Sequence, residues 1–303
     1  MIDFLLLGNG GMQPLPNRWL SSLLVRCRGQ IILFDCGEGT QIPWKSFGWG
    51  FRRLGAICIS HYHADHVAGL PGLLHAVANA GRTEPVDLFG PAGITRIVEG
   101  LRVIAPRLPF DLRVHELQEG DTFDLPAGLR ATVLNGEHGL PCLLYRIDLP
   151  RARRFDPARA ESLGIPRRLW SVLQEGEHIA WDGGRAVPED VLGPERRGLA
   201  FAYVTDTRLL PGFVPFLSNV DLLVCEGTYG DTADTEMARV HHHMTFAQAA
   251  SIARDASAAC LWLTHFSARM DDPNAFASNA TDIFPETVIG YSGLTATLNF
   301  SDD

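Results

Sequence analysis

Short apolar runs recur along the chain at residues 4–7, 22–25, 31–34, 57–59, 86–89, 131–134, 143–147, 201–204, 222–224 and 261–263. Many are four or five residues long and apolar throughout. That is the pattern of strands covered on both faces rather than of strands with one wet side. Between them, residues 67–80, 94–103 and 246–256 space their apolar positions by three and four, which predicts helices. Thr245 stands where it can cap the last of these. Strands interleaved with helices predict a layered α/β fold. One stretch breaks the pattern. From about 148 to 193 the sequence is polar and Arg-rich, with Gly and Pro interspersed, and reads as an insertion carried by a single domain spanning 1–303. No repeat marks a solenoid.

Composition narrows the class. An apolar fraction of 46% over 303 residues supplies a sizeable core and excludes global disorder. The net charge of −9 means the chain is no general nucleic-acid binder, so RNA binding would need a local basic patch. The six Cys are scattered, with no C-x-x-C pair, and read as reduced, buried residues of a cytoplasmic protein. The first residues lack a positive segment, and the run 4–7 meets Gly8-Asn9-Gly10-Gly11 at once. This predicts a first strand and turn rather than a signal peptide. No run reaches the roughly 18 apolar residues that span a bilayer, so no membrane association is expected.

The densest chemistry is Ser60-His61-Tyr62-His63-Ala64-Asp65-His66, directly after an apolar run. On one helix His61 and His63 would face apart, but in a loop leaving a strand they can converge on one ion, with Asp65 and His66 turned to a second. Imidazole and carboxylate donors suit zinc, with manganese or iron as alternatives. His138, Asp206 and His265 each follow a strand run, where loops on a rigid scaffold carry sites.

His-x-His-x-Asp-His followed by a spaced His, Asp and His resembles the metallo-β-lactamase superfamily. A finer similarity is to the ribonuclease Z family of tRNA 3′-processing endonucleases. It is carried by Asp35-Cys36-Gly37-Glu38-Gly39-Thr40-Gln41, Gly69-Leu70-Pro71-Gly72-Leu73-Leu74 and Thr264-His265-Phe266-Ser267-Ala268-Arg269, and runs nearly end to end. The resemblance implies an αββα four-layer sandwich with two mixed sheets and two zinc ions per subunit. It also implies a homodimer acting on tRNA precursors. One ion would take His61, His63 and His138, the other Asp65, His66 and His265, with Asp206 bridging. Asp65 is then expected to accept the proton of the attacking water as well.

A leaving 3′-oxygen needs an acid. The family places a His-Ser-Thr motif about twenty residues before the last ligand; here it reads His243-Met244-Thr245, so His243 is the candidate. The following helix would lower its pKa, and Glu226 is the candidate carboxylate partner that would offset this. His241 and His242 are expected to be solvated.

The insertion resembles the family's tRNA-gripping arm. Between residues 146 and 168 seven Arg face only Asp148, Asp156 and Glu161. Two departures stand out. Arg167-Arg168 replaces the usual Gly-Pro after Pro166, and Gly8-Asn9-Gly10-Gly11 replaces the usual Gly-Thr-Ser. An alternative compatible with both is a two-metal hydrolase of a small phosphodiester or sulfate ester on the same scaffold. The full set of seven ligands argues against a non-catalytic RNA-binding relative.

Overall fold

The computed structural model describes residues 1–301. The chain forms two compact units, one from residues 1–148 together with those from 200 onward, the other from Leu149–Leu199.

The larger unit holds two seven-stranded sheets. In the first, Thr295–Leu298, Ile2–Gly8, Ser22–Cys27 and Gln30–Phe34 run antiparallel to their neighbours. Gln30–Phe34, Leu54–Cys58, Val86–Pro91 and Leu112–Leu117 then run parallel. The second sheet is also mixed. Thr287–Ile289, Leu261–Thr264, Leu222–Glu226 and Arg196–Val204 are parallel, and Leu143–Arg151, Leu129–Asn135 and Thr122–Leu125 are antiparallel.

Aromatic rings join the two sheets face to face. Phe4 meets Phe201 edge-on at 4.9 Å between centroids, and Phe34 meets Tyr145 and Phe201 at 5.8 Å. Such pairs contribute about 0.5–1.5 kcal/mol each beyond their buried area. The outer faces are covered by helices. Leu70–Asn79 and Ile94–Arg102 bury Leu73, Leu74, Val77, Ile94 and Val98 against the first sheet. Phe246–Asp255 buries Phe246, Ala249, Ala250 and Ala253 against the second. This is the αββα sandwich with two mixed sheets. Coverage on both sides explains why Leu54–Cys58 and Leu222–Glu226 are buried at every residue and read as unbroken apolar runs.

All ten apolar runs fall on strands of these sheets. The four strands that the apolar pattern omits, Leu112–Leu117, Thr122–Leu125, Thr287–Ile289 and Thr295–Leu298, are the four sheet edges. Edge strands bury fewer side chains, and Leu112–Leu117 has none fully buried, so they lack the signal. The helix expected over 67–80 is two, Ala64–Val67 and Leu70–Asn79. The break falls at Ala68-Gly69. There the Gly69 N–H donates to the Cys36 carbonyl at 2.9 Å, and a Cβ on Gly69 would collide with the Gly37 carbonyl. Thr245 caps Phe246–Asp255 as expected, in a reciprocal capping box with Gln248.

The smaller unit has its own core of Ala160, Ile165, Leu173, Ile179, Ala186 and Val191. Asp156 caps the helix Pro157–Ser162, and Ile179–Trp181 pairs with Gly184–Ala186 across an Asp182-Gly183 turn. Among the described residues, no helix is long and apolar enough to cross a membrane.

Candidate metal centre

The parallel strands of both sheets end at one place, and the functional side chains sit on the residues just past those ends. Asp35 follows Gln30–Phe34, His61 to His66 follow Leu54–Cys58, Asp206 follows Arg196–Val204 and His265 follows Leu261–Thr264. Asp35, Asp206 and His265 take the left-handed backbone conformation, with φ of 54°, 44° and 56°. Asp and His tolerate this region better than most residues, and such outliers gather at functional sites.

Two four-donor groups result, His61-His63-His138-Asp206 and Asp65-His66-Asp206-His265, with donor atoms within 4.8 Å of one another in each. In the first, His61 Nε2 and His138 Nε2 lie 3.0 and 3.2 Å from His63 Nδ1, and 3.6 and 3.4 Å from Asp206 Oδ2. In the second, Asp206 Oδ1 lies 3.4 Å from His66 Nε2 and 3.0 Å from His265 Nε2. Asp65 Oδ2 is 3.6 and 3.4 Å from the same two nitrogens. Four donors held about 2.0–2.1 Å from one ion in a tetrahedron stand about 3.3–3.4 Å apart, so both groups have the spacing of a metal site. Each oxygen of Asp206 faces one group. The structure thus brings together all seven ligands expected from the sequence.

The electrostatics ask for positive charge. Asp65 and Asp206 are 8% and 2% exposed. Burial alone would raise both carboxyls, but neighbouring histidines hold them below the usual range. Burial pushes His265 down, yet Asp206 and Asp65 lift it to about 10. His61, by contrast, is driven down, by burial first and then by His66. Two buried carboxylates among these rings are a charge distribution that a divalent cation would balance.

Hydrogen bonds fix which nitrogen faces the centre. His66 Nδ1–H donates to Asp35 at 2.8 Å, His61 Nδ1–H to Ser60 Oγ at 3.1 Å, His138 Nδ1–H to the His242 carbonyl at 3.0 Å and His265 Nδ1–H to Thr228 Oγ1 at 3.1 Å. Each leaves Nε2 for a metal. Sequence reasoning assigned no role to these supporting groups. Asp35 is the largest omission: fully buried, it also accepts from Ser60 N at 2.7 Å, Ser60 Oγ at 2.8 Å and Tyr203 Oη at 3.0 Å. The cues were a carboxylate directly after the apolar run 31–34 and its place at the head of the Asp35–Gln41 motif. Asp35→Ala should cost about 3 kcal/mol or more in denaturant unfolding by stranding those donors. It should also weaken metal binding about 10- to 100-fold in a chelator competition. Unchanged metal affinity would show that Asp35 supports the fold alone.

His243 and Glu226 meet as expected, with Nδ1–H donating to Glu226 Oε1 at 3.0 Å. Glu226 is fully buried and also accepts from Thr207 N, Met244 N and Thr228 Oγ1. It hydrogen-bonds His243 and Thr228, and its carboxylate lies within 4.8 Å of ring nitrogens of both His243 and His265, so its place is that of a positioning partner of His243. Burial works against a charged His243, but Glu226 outweighs it and the pKa is raised, not lowered. Met244, where a Ser was expected, fills the core under Phe246–Asp255 and keeps its N–H on Glu226. His241 is exposed and bonds Tyr229 Oη at 2.7 Å. His242 is not simply solvated, since its carbonyl orients His138.

The centre opens into a cavity of about 1000 Å³ whose walls include His63, Asp65, His138, His243, Tyr229 and Phe276. His63 is exposed and His138 half-buried, so the first group keeps an open face, as a catalytic rather than a structural metal site does.

Over residues 30–165 the chain matches the family model of the beta-lactamase superfamily domain. It is 43% identical to the ribonuclease Z of Clostridium kluyveri and 41% identical to that of Lachnospira eligens, each over 303 residues and 100% of both chains. Among solved structures it is similar to human tRNase Z, short form (ELAC1), with a TM-score of 0.70 and 23% identity, covering 98% of this chain and 100% of that one. It is also similar to the metallo-beta-lactamase fold protein YhfI from Bacillus subtilis, with a TM-score of 0.71, 21% identity and the same coverage. At these identities the structural likenesses establish the fold.

Proposed function

Since the chain belongs to the ribonuclease Z family, we propose that it is a metal-dependent endoribonuclease that removes the 3′ trailer from tRNA precursors. The observation that carries this is the pair of four-donor groups sharing Asp206, with His243 beside them at the edge of an open cavity. Full-length likeness to ribonuclease Z chains favours this over a small-ester hydrolase.

The metals are two zinc ions per subunit, with manganese or iron as alternatives. His61, His63 and His138 would hold one and Asp65, His66 and His265 the other, with Asp206 between the two groups. When bound, such a pair polarises a phosphoryl oxygen and activates water near neutral pH. Asp65, whose carboxylate lines the cavity, is placed to accept a proton from an attacking water. His243, with Nδ1–H fixed by Glu226, holds a proton at Nε2 for the leaving 3′-oxygen.

Leu149–Leu199 is the gripping arm. The first half is basic, but over residues 149–199 nine Arg face eight acidic residues, and Arg153 and Arg167 pair with Glu189 and Glu161. Docking to phosphates then rests on local exposed groups such as Arg159 and Arg168. The protein is further proposed to act in the cytoplasm as a homodimer.

The test is cleavage of a tRNA precursor with the product end mapped to one nucleotide. A discrete, chelator-sensitive cut at the trailer junction is expected. Deleting residues 151–196 across a short glycine-serine link should lower kcat/KM on the precursor at least about 100-fold, or about 2.7 kcal/mol. Hydrolysis of bis(p-nitrophenyl) phosphate should stay within a few-fold. Equal rates on the precursor with and without the segment would remove it from substrate binding.

A further inference from the structure

The turn Gly8-Asn9-Gly10-Gly11 and Met12 after it supply no ligand, yet together they touch the second donor group twice. Met12 N donates to Asp65 Oδ2 at 2.7 Å. Met12 is 68% exposed and has φ of 70°, an unusual conformation for a residue other than glycine. Gly11 lies against the His265 ring: a Cβ there would stand 2.5 Å from Cε1, 2.7 Å from Nε2 and 3.0 Å from Nδ1.

Neither side can yield easily. The turn is laced to the backbone beside His265, with Gly11 N donating to the Phe266 carbonyl at 3.0 Å and Phe266 N to the Asn9 carbonyl at 2.8 Å. Asn9 Nδ2 also donates to the Gly290 carbonyl at 2.7 Å. The His265 ring is stacked by His66 at 5.2 Å and by His243 at 5.5 Å, and its Nδ1 is held by Thr228. Gly11 is not among the glycines with left-handed φ, so alanine at this position is costly only through the contact.

We infer that residues 9–12 are a positioning clamp for the second metal site. The Met12 N–H aims the Asp65 carboxylate, and the bare Gly11 Cα sets the depth of the His265 ring. The inference rests on the reading of the centre as a two-metal site. It gives the Gly-Asn-Gly-Gly departure a part in building the centre.

Stepwise zinc loading followed by native mass spectrometry tests it, together with thermal unfolding of the metal-free chains. The wild type should bind two ions. Gly11→Ala should retain the ion of His61, His63 and His138 and bind the other about 100-fold more weakly, while His265→Ala and the double variant should match each other, because removing the ring makes room for the methyl. Gly11→Ala that folds only when combined with His265→Ala would locate the clash at the same ring and support the clamp. Two ions at wild-type affinity in Gly11→Ala, or an equal loss from Gly11→Ala with and without the His265 ring, would overturn it. A wild type that binds fewer than two ions would instead overturn the two-metal reading, and the clamp with it.

Discussion

Asp206→Ala is expected to leave the purified protein with fewer than two bound ions and to lower precursor cleavage by about 10⁴-fold or more, roughly 5.4 kcal/mol in activation free energy. The reason lies in the carboxylate's two oxygens. Oδ2 faces His61 and His138, and Oδ1 faces His66 and His265, all at 3.0–3.6 Å. One side chain therefore contributes a donor and a share of negative charge to both sites. Its position is over-determined. It is 2% exposed, its backbone takes φ of 44°, and Thr205 Oγ1 donates to Oδ1 at 2.7 Å. Loss of a ligand specific to one group, such as His63, removes a donor from one ion only, and His63 is exposed enough for water to replace it. Asp206→Asn keeps the shape but halves the acceptor capacity and removes the charge, so it should follow Asp206→Ala in direction with a smaller loss. Elemental analysis after dialysis against a chelator, beside cleavage rates, decides the matter. Two ions retained at wild-type affinity in Asp206→Ala would show that the two groups load independently and that the bridge has no role.

Why Asp206 could be found from sequence at all, and Asp35 only half so, is a matter of what a one-dimensional pattern records. An apolar run of four residues says that a strand ends, and a His or Asp just after it says that a costly polar group has been placed at that end. That rule locates His138, Asp206 and His265. It does not say which strand ends meet. Asp35 acquires its role because Gln30–Phe34 pairs in parallel with Leu54–Cys58, so that Asp35 N donates to the Cys58 carbonyl and its carboxylate faces Ser60 and His66. Those partners are 25 and 31 residues away, and no periodicity encodes the pairing. Gly11 is the same case at greater range, since its partner ring lies 254 positions on along the sequence. Sheet interiors were legible because burial on both faces leaves continuous apolar runs. Sheet edges were not, because Thr295–Leu298 and Leu112–Leu117 pair on one side only and have no fully buried residue. The direction of the His243 shift also escaped sequence reasoning. It depends on whether a carboxylate actually reaches the ring, and Glu226 does so at 3.0 Å.

His243→Ala should bind two ions like the wild type and cleave precursor about 10³-fold more slowly, within the range a positioned acid supplies. Its signature is leaving-group dependence. The leaving 3′-oxygen of RNA is an alkoxide and needs a proton as the bond breaks, whereas nitrophenolate departs without one. Hydrolysis of bis(p-nitrophenyl) phosphate by His243→Ala should therefore fall less than about 10-fold. Glu226→Gln separates positioning from proton donation. Glutamine keeps one acceptor oxygen, for either the Thr207 N–H on Oε1 or the Met244 N–H on Oε2, and its amide cannot hold a charged imidazole as a carboxylate does. Burial disfavours the charged His243 ring and Glu226 raises its pKa against that. Without the carboxylate the pKa falls, and since the acid must be protonated to act, the descending limb of the pH–rate profile should move to lower pH. Bound cations would lower the pKa of wild type and variant alike, so the sign of the difference survives metal loading. A shift of the ascending limb alone, or none with the rate unchanged, would leave Glu226 a structural residue. His243→Ala losing both substrates equally would mean that the ring serves the phosphate or the metals rather than the leaving group.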